Sequence, residues 1–166
     1  MLTQEYLKNL DCGIRYATYD QTILEYPELK PILDSLPENY DDFLFDVKVH
    51  MLMPNQWPCI PNWHCDHRPR KPDLSVDLSI KTYNPNKNMY LYLSNEPFTE
   101  FRDGRKVIAG EWVRFNQDDE HRGTMSKKHI WRLFIRASHK DIVPEHAKYF
   151  KPKHSQVYLD SNNFIW

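Results

Sequence analysis

His64 and Asp66 stand two residues apart in the stretch Trp-His-Cys-Asp, residues 63–66. If this stretch is a β-strand, both side chains point to the same face of the sheet. An imidazole and a carboxylate that point the same way provide two of the three ligands of a facial metal site with two histidines and one carboxylate. Such a site leaves three positions open on an iron(II) ion, so the chain must supply a second histidine from elsewhere.

His121 is the strongest candidate for the third ligand. It follows a polar, acidic turn at residues 116–120 and precedes Arg122-Gly123, where the chain is expected to leave one strand and turn. The three side chains include no thiolate, the ligand that favours zinc, so this set suits iron(II). A simpler interpretation stays open, in which His64 and Asp66 are an ordinary surface pair.

The strand predicted at residues 129–137 carries two arginines on one face. The first face has Arg132, Phe134 and Arg136, and the second has Trp131, Leu133 and Ile135. Because unpaired buried charge is costly, two arginines on a buried face predict a bound anion. A guanidinium matches a carboxylate through two parallel hydrogen bonds. The alternative is a solvent-exposed face on which the arginines form salt bridges.

Alternating apolar and polar residues predict several short strands. They are expected at residues 43–53, 63–67, 74–80, 89–93, 106–109, 111–115 and 129–137. Turn residues lie between them, and this arrangement indicates an antiparallel sandwich or barrel. Ahead of the strands, apolar residues at helical spacing in residues 20–36 predict one or two short helices, with Asp20 as a cap.

The size and charge of the chain narrow its class. The 166 residues suggest one domain, 1–166, with its core strands at about 43–137. A net charge of -1 argues against a membrane or nucleic-acid binder held by bulk positive charge. Cys12, Cys59 and Cys65 are odd in number and form no CxxC pair, so we expect no disulfide framework and a cytoplasmic location.

Taken in order, these motifs resemble the iron(II)- and 2-oxoglutarate-dependent dioxygenases. The resemblance depends on His64-x-Asp66, the distal His121 and then Arg132. The interval from histidine to arginine is similar to that of the subgroup with phytanoyl-CoA hydroxylase and taurine dioxygenase. The resemblance implies a mainly β fold, the double-stranded β-helix of jelly-roll and cupin-like proteins, with short N-terminal helices.

The same resemblance implies a reaction and its participants. His64, Asp66 and His121 would hold Fe(II), and 2-oxoglutarate would chelate it while Arg132 binds the far carboxylate. With O2 as the second co-substrate, the products would be succinate, CO2 and a hydroxylated substrate. Tyr92 is a further candidate for a hydrogen bond to 2-oxoglutarate. Arg136 is a candidate for contact with 2-oxoglutarate, a substrate anion or an outer carboxylate.

Two other interpretations of the sequence stay open. One is a metal-dependent, cupin-type enzyme that uses the same ligands without 2-oxoglutarate. The other is a metal-free jelly-roll module with a binding or structural role. For an oxygenase, the substrate is expected to be a small molecule or nucleotide whose identity the sequence does not give.

Overall fold

The computed structural model describes residues 2–11, 13–154 and 156–159, and its fold is mainly β. The strands are β1 (Gly13–Ala17), β2 (Phe43–Leu52), β3 (Met89–Leu93), β4 (Thr99–Phe101), β5 (Trp112–Phe115), β6 (His121–Gly123) and β7 (Ile130–His139). The helices are α1 (Gln4–Lys8), α2 (Tyr19–Glu25) and α3 (Lys30–Asp34). Short 3-10 turns lie at Pro27–Leu29, Tyr40–Asp42 and Lys140–Ile142.

The strands form two antiparallel sheets. The larger sheet has the order β1-β2-β7-β3-β5, and the smaller one pairs β4 with β6. All ten residues of β2 pair with β7, from Phe43 opposite His139 to Leu52 opposite Ile130. His64 joins the smaller sheet through a single bridge to His121. The two long strands therefore form the centre of the larger sheet.

The two faces of β2 and β7 differ in chemistry. One face is apolar and packs under the N-terminal helices; its residues are Phe43, Phe45, Val47, Val49, Leu133, Ile135 and Ala137. The other face carries Asp46, Lys48, His50, Arg132, Phe134 and Arg136. Leu29 and Leu33, at the start of and within α3, are fully buried against the apolar face. The sheet thus has one face for its core and one charged face turned inward.

The first two N-terminal helices begin at side-chain caps, whereas α3 has no side-chain cap. The Thr18 hydroxyl accepts a hydrogen bond from the backbone N–H of Gln21, and the Gln21 side chain accepts one from the N–H of Thr18. This reciprocal capping box starts α2. The prediction that Asp20 caps this helix was wrong, because Asp20 already lies in its first turn.

The predictions at residues 43–53, 89–93, 111–115 and 129–137 are confirmed as β2, β3, β5 and β7. The strand predicted at 74–80 was wrong: its apolar residues Leu74, Leu78 and Ile80 are 70%, 71% and 43% exposed. Here the Asp73 and Asp77 side chains accept hydrogen bonds from the N–H groups two residues on. These local bonds favour turns over strand pairing.

Two further strand predictions need correction. Residues 106–109 form no strand: residues 106–108 have no regular structure, Ala109 lies in a turn, and Ile108 is 49% exposed. Residues 63–67 pair only at His64, and the chain turns at His67, whose φ of 51° lies in the left-handed region. The two candidate ligands therefore lie on a bend beside β6 rather than on a regular strand.

Cys59 and Cys65 are free thiols, whereas Cys12 lies outside the described residues. None of the helices within the described part of the chain is long and apolar enough to cross a membrane.

Leu133→Ala tests the apolar face of β7. Leu133 is fully buried, so its truncation should lower the free energy of unfolding by about 2–5 kcal/mol. The matched control is Leu24→Ala, at a side chain that is 80% exposed on α2, which should change it by less than about 0.5 kcal/mol. Urea denaturation measures both, and equal effects would contradict this placement of the core.

Candidate metal centre

His64, Asp66 and His121 converge. One ligand atom from each of the three side chains lies within 4.8 Å of the others, so the group could hold a metal ion. The convergence comes from the backbone: the N–H of His64 donates to the carbonyl of His121 at 3.0 Å, and the reverse bond is 2.9 Å. Asp66 follows two residues later, with its Oδ2 atom 3.6 Å from Nε2 of His121.

Both imidazole rings are held by backbone carbonyls. Nδ1 of His64 lies 2.9 Å from the carbonyl oxygen of Asn62, and Nδ1 of His121 lies 3.2 Å from that of Asp119. Because a carbonyl only accepts, each Nδ1 must carry the hydrogen. In the neutral rings, Nε2 therefore has the lone pair that a metal ligand requires, whereas Nε2 of a protonated His121 interacts with Asp66 instead.

Arg136 holds the carboxylate of the group. Its Nη1 atom donates to Oδ2 of Asp66 at 2.6 Å, and its Nη2 atom donates to Oδ2 of Asp46 at 2.5 Å. Burial alone would raise the pKa of Asp66, but the charge of Arg136 and the hydrogen bond with His121 hold it well below its usual value. Asp66 is therefore ionised and oriented by the protein itself.

Arg132 is buried and has no counter-charge among the residues that the structure describes. Its side chain is 1% exposed, and its Nη2 atom donates to the Thr99 hydroxyl at 3.3 Å. Its Nε and Nη1 atoms have no hydrogen-bond partner among the described residues. Burial lowers the pKa of Arg132 to about 10. The alternative of a solvent-exposed arginine face is therefore wrong, and a buried guanidinium with free N–H groups marks a place for an acceptor.

A cavity of about 270 Å³ joins these features. Its wall includes the three candidate ligands and Arg136. Arg132 itself lies behind the wall. Two of its neighbours line the cavity: Thr99, which accepts a hydrogen bond from Arg132, and His50, which lies opposite Arg132 on the paired strand β2. Nδ1 of His50 also has no partner in the described ranges. The polar atoms without partners thus cluster next to the cavity.

Tyr92 does not belong to the cavity. Leu91 lines the cavity, so the alternation of β3 turns Tyr92 to the opposite face. There its ring lies 5.4 Å from the ring of Trp112 and packs against the apolar cluster under the helices. The prediction that its phenol contacts 2-oxoglutarate is therefore corrected.

The sequence reasoning missed the inward face of β2. Asp46 and His50 are 3% and 2% exposed, and Lys48 lies between them on the same face. The alternation in β2 places these three residues on one face of the strand. Because they are polar, the sequence pattern is that of a face exposed to solvent. Only the sheet order, with β7 beside β2, places them opposite Arg132 and Arg136.

Comparisons with protein-family models, curated proteins and solved structures found no match to this chain. Two imidazole nitrogens and one ionised carboxylate oxygen form a donor set for a divalent transition metal.

Substitution of single ligands tests the metal centre. The wild-type protein should bind one Mn(II) ion per chain, and Asp66→Ala or His121→Ala should weaken that binding by at least about tenfold. His129→Ala, at an exposed histidine, is the control and should bind as the wild type does. Equilibrium dialysis with metal analysis measures the affinity. A wild-type protein that binds no more Mn(II) than the variants would contradict the assignment.

The pH dependence of metal binding follows from His121. Burial alone would lower the pKa of His121, but its hydrogen bond to Asp66 raises it above the usual 6.5. A metal must displace that proton, so Mn(II) affinity should fall by up to about tenfold per pH unit below this pKa. Titrations between about pH 8 and pH 6 measure the effect. An affinity that stays constant over this range would exclude His121 as a ligand.

Proposed function

We propose that this protein is an Fe(II)- and 2-oxoglutarate-dependent oxygenase that hydroxylates a small molecule or nucleotide and releases succinate and CO2. One observation carries the proposal: a three-ligand group and a buried guanidinium without a counter-charge lie beside the same cavity. Arg132 and Arg136 lie on the same face of β7, four residues apart. Their Cα atoms are therefore roughly 13 Å apart at about 3.3 Å per residue, so Arg136 contacts the candidate ligand Asp66 while Arg132 lies farther along the strand.

The strand pairing supports a double-stranded β-helix. β2 pairs with β7, the bend at His64 pairs with β6, and β3 pairs with β5. Counted from β2, and with the bend at His64 as the second element, the first pairs with the last, the second with the second-last and the third with the third-last, as expected if a long two-stranded ribbon is wound into a helix. We infer that the two sheets are the two walls of such a helix, with the cavity between them.

The donor set fits iron(II). Two imidazoles and one carboxylate on a facial triangle leave room for further ligands, and no thiolate is part of the group. When bound, iron(II) supplies the redox chemistry by which O2 oxidises the keto acid and a C–H bond of the substrate. The protein orients the ligands: the carbonyls of Asn62 and Asp119 fix the two rings, and Arg136 fixes Asp66.

The surroundings of Arg132 fit the far carboxylate of 2-oxoglutarate. Thr99 holds one N–H group of the guanidinium, so Nε and Nη1 are free to donate to a carboxylate. Such hydrogen bonds are stronger in a buried site than in water. Phe134, which lies between the two arginines on β7, lines the cavity together with Leu91 and Phe115. These three side chains make part of its wall apolar.

One observation favours the alternative of a metal-dependent enzyme that does not use 2-oxoglutarate. Arg132 lies behind Thr99 and His50 rather than in the cavity wall, so a ligand must displace these side chains slightly to reach it. In that alternative, Arg132 has a structural role only, and a different anion or a neutral ligand occupies the metal site.

Arg132→Gln separates the two functions. It should weaken 2-oxoglutarate binding to the Mn(II)-loaded protein by at least about tenfold, because a charge-assisted hydrogen bond contributes about 1.5–3 kcal/mol. Mn(II) affinity should stay unchanged. Anaerobic calorimetry measures binding, and succinate formation with Fe(II), ascorbate and O2 measures turnover. Arg114→Gln, at an exposed arginine of β5, is the control.

The outcomes distinguish the hypotheses. Equal 2-oxoglutarate binding by Arg132→Gln and wild type would exclude the proposed role of Arg132. Metal binding without any 2-oxoglutarate binding or succinate would favour the alternative enzyme. A wild-type protein that binds no metal would favour the metal-free module.

A further inference from the structure

Two more cations line the cavity without a partner. Lys48 on β2 and Arg15 on β1 both belong to its wall. No hydrogen bond or ion pair of either side chain is formed within residues 2–11, 13–154 and 156–159. The Lys48 ammonium instead lies over the Phe134 ring, 5.1 Å from its centroid. This contact is weak compensation for a half-buried charge.

The nearby carboxylates are already engaged. Asp46 and Asp66 both accept from Arg136, and Asp66 also belongs to the metal-ligand group. In the proposed function, the far carboxylate of 2-oxoglutarate pairs with Arg132 and its keto-acid end meets the metal. Among the described residues, Lys48 and Arg15 then remain without a carboxylate in ion-pair contact in the same cavity. Buried charge of one sign is costly unless an opposite charge arrives.

Arg15 faces this wall because its neighbour Ile14 points into the apolar core, and a bend after it adds Tyr16 to the wall. The register between β1 and β2 shifts between Ile14 and Ala17, and Tyr16 has a φ of 53°, a left-handed conformation that a bulky residue rarely adopts. As a result, consecutive residues Arg15 and Tyr16 both line the cavity. The N–H of Tyr16 donates to Asp46 at 3.0 Å and holds the bulge. Bulges that re-aim side chains are common beside binding sites.

The electrostatics of Lys48 agree with a missing anion. Burial lowers the pKa of Lys48 to about 8, and the positive charges of Arg136 and Arg15 lower it in the same direction, whereas the charges of Asp46 and Asp66 offset only part of this shift. An anion bound beside the ammonium would remove most of that penalty.

We propose that Lys48 and Arg15 form an oxyanion subsite that binds the carboxylate or phosphate group of the organic substrate. The anion-binding part depends on these residues alone, whereas its role as the substrate's subsite rests on the proposed function. The subsite selects acidic substrates and holds them by the charged end, beside the metal-ligand group.

Three probes with the same ring test the subsite: benzoate, phenyl phosphate and the neutral benzamide. Each is titrated by calorimetry into the Mn(II)-loaded protein with saturating 2-oxoglutarate under anaerobic conditions, and again into the metal-free protein. The variants are Lys48→Gln, Lys48→Arg and Arg15→Gln. Lys106→Gln, at an exposed lysine between β4 and β5, is the matched control.

We expect at least one of the two anions to bind at least about tenfold more tightly than benzamide, and Lys48→Gln and Arg15→Gln to remove that preference. Lys48→Arg should retain it, which shows that the position folds and needs a cation. The 2-oxoglutarate affinity of Lys48→Gln should stay within about threefold of wild type. A preference for benzoate assigns a carboxylate substrate, and a preference for phenyl phosphate assigns a phosphate.

Three results would overturn the subsite: equal binding of benzamide and both anions, absence of anion binding in wild type, or a loss of 2-oxoglutarate binding in Lys48→Gln equal to that in Arg132→Gln. Anion binding that depends on Lys48 in a protein that does not bind 2-oxoglutarate would refute the proposed function and retain the anion site.

Discussion

The inner face of the two longest strands buries charged groups, and each of them needs a counter-charge. Arg136 meets this need for two carboxylates at once, since it donates to Asp46 beside it on β2 and to Asp66 seventy residues earlier in the chain. This one side chain links the larger sheet to the bend that carries the candidate ligands. Removal of Arg136 would leave two buried carboxylates without this partner, which is far more costly than the pairing itself is stabilising.

The two faces of these strands therefore have different roles, one in stability and one in the candidate site. The apolar face, with Phe45, Val47 and Leu133, supplies the burial that stabilises the sheet against the N-terminal helices. The charged face adds little net stability, because desolvation offsets most of the attraction between buried ions. In the proposed function this face is a binding site instead, and Arg132 and Lys48, which form no ion pair within the described residues, are the groups that indicate it.

Much of this arrangement was predictable from local patterns. Alternation identified β2, β3 and β7, and it placed Arg132 and Arg136 on one face because that period is a property of every strand. The three ligands could be chosen by residue type and order. The partners of Arg136 could not, because pairing over seventy and ninety residues leaves no local signal. Short strands such as β4 and β6 were missed since three residues are too few to show a period.

The bond between Arg136 and Asp66 has a consequence for how a metal would enter. Arg136 occupies only Oδ2 of the carboxylate, and the second oxygen is not part of that bond. A chain that has folded before it meets an ion thus carries no uncompensated carboxylate at this bend. The apoprotein should keep its shape after treatment with a chelator, and the ion should be exchangeable afterwards. Loading of a metal would then be a late step, independent of folding.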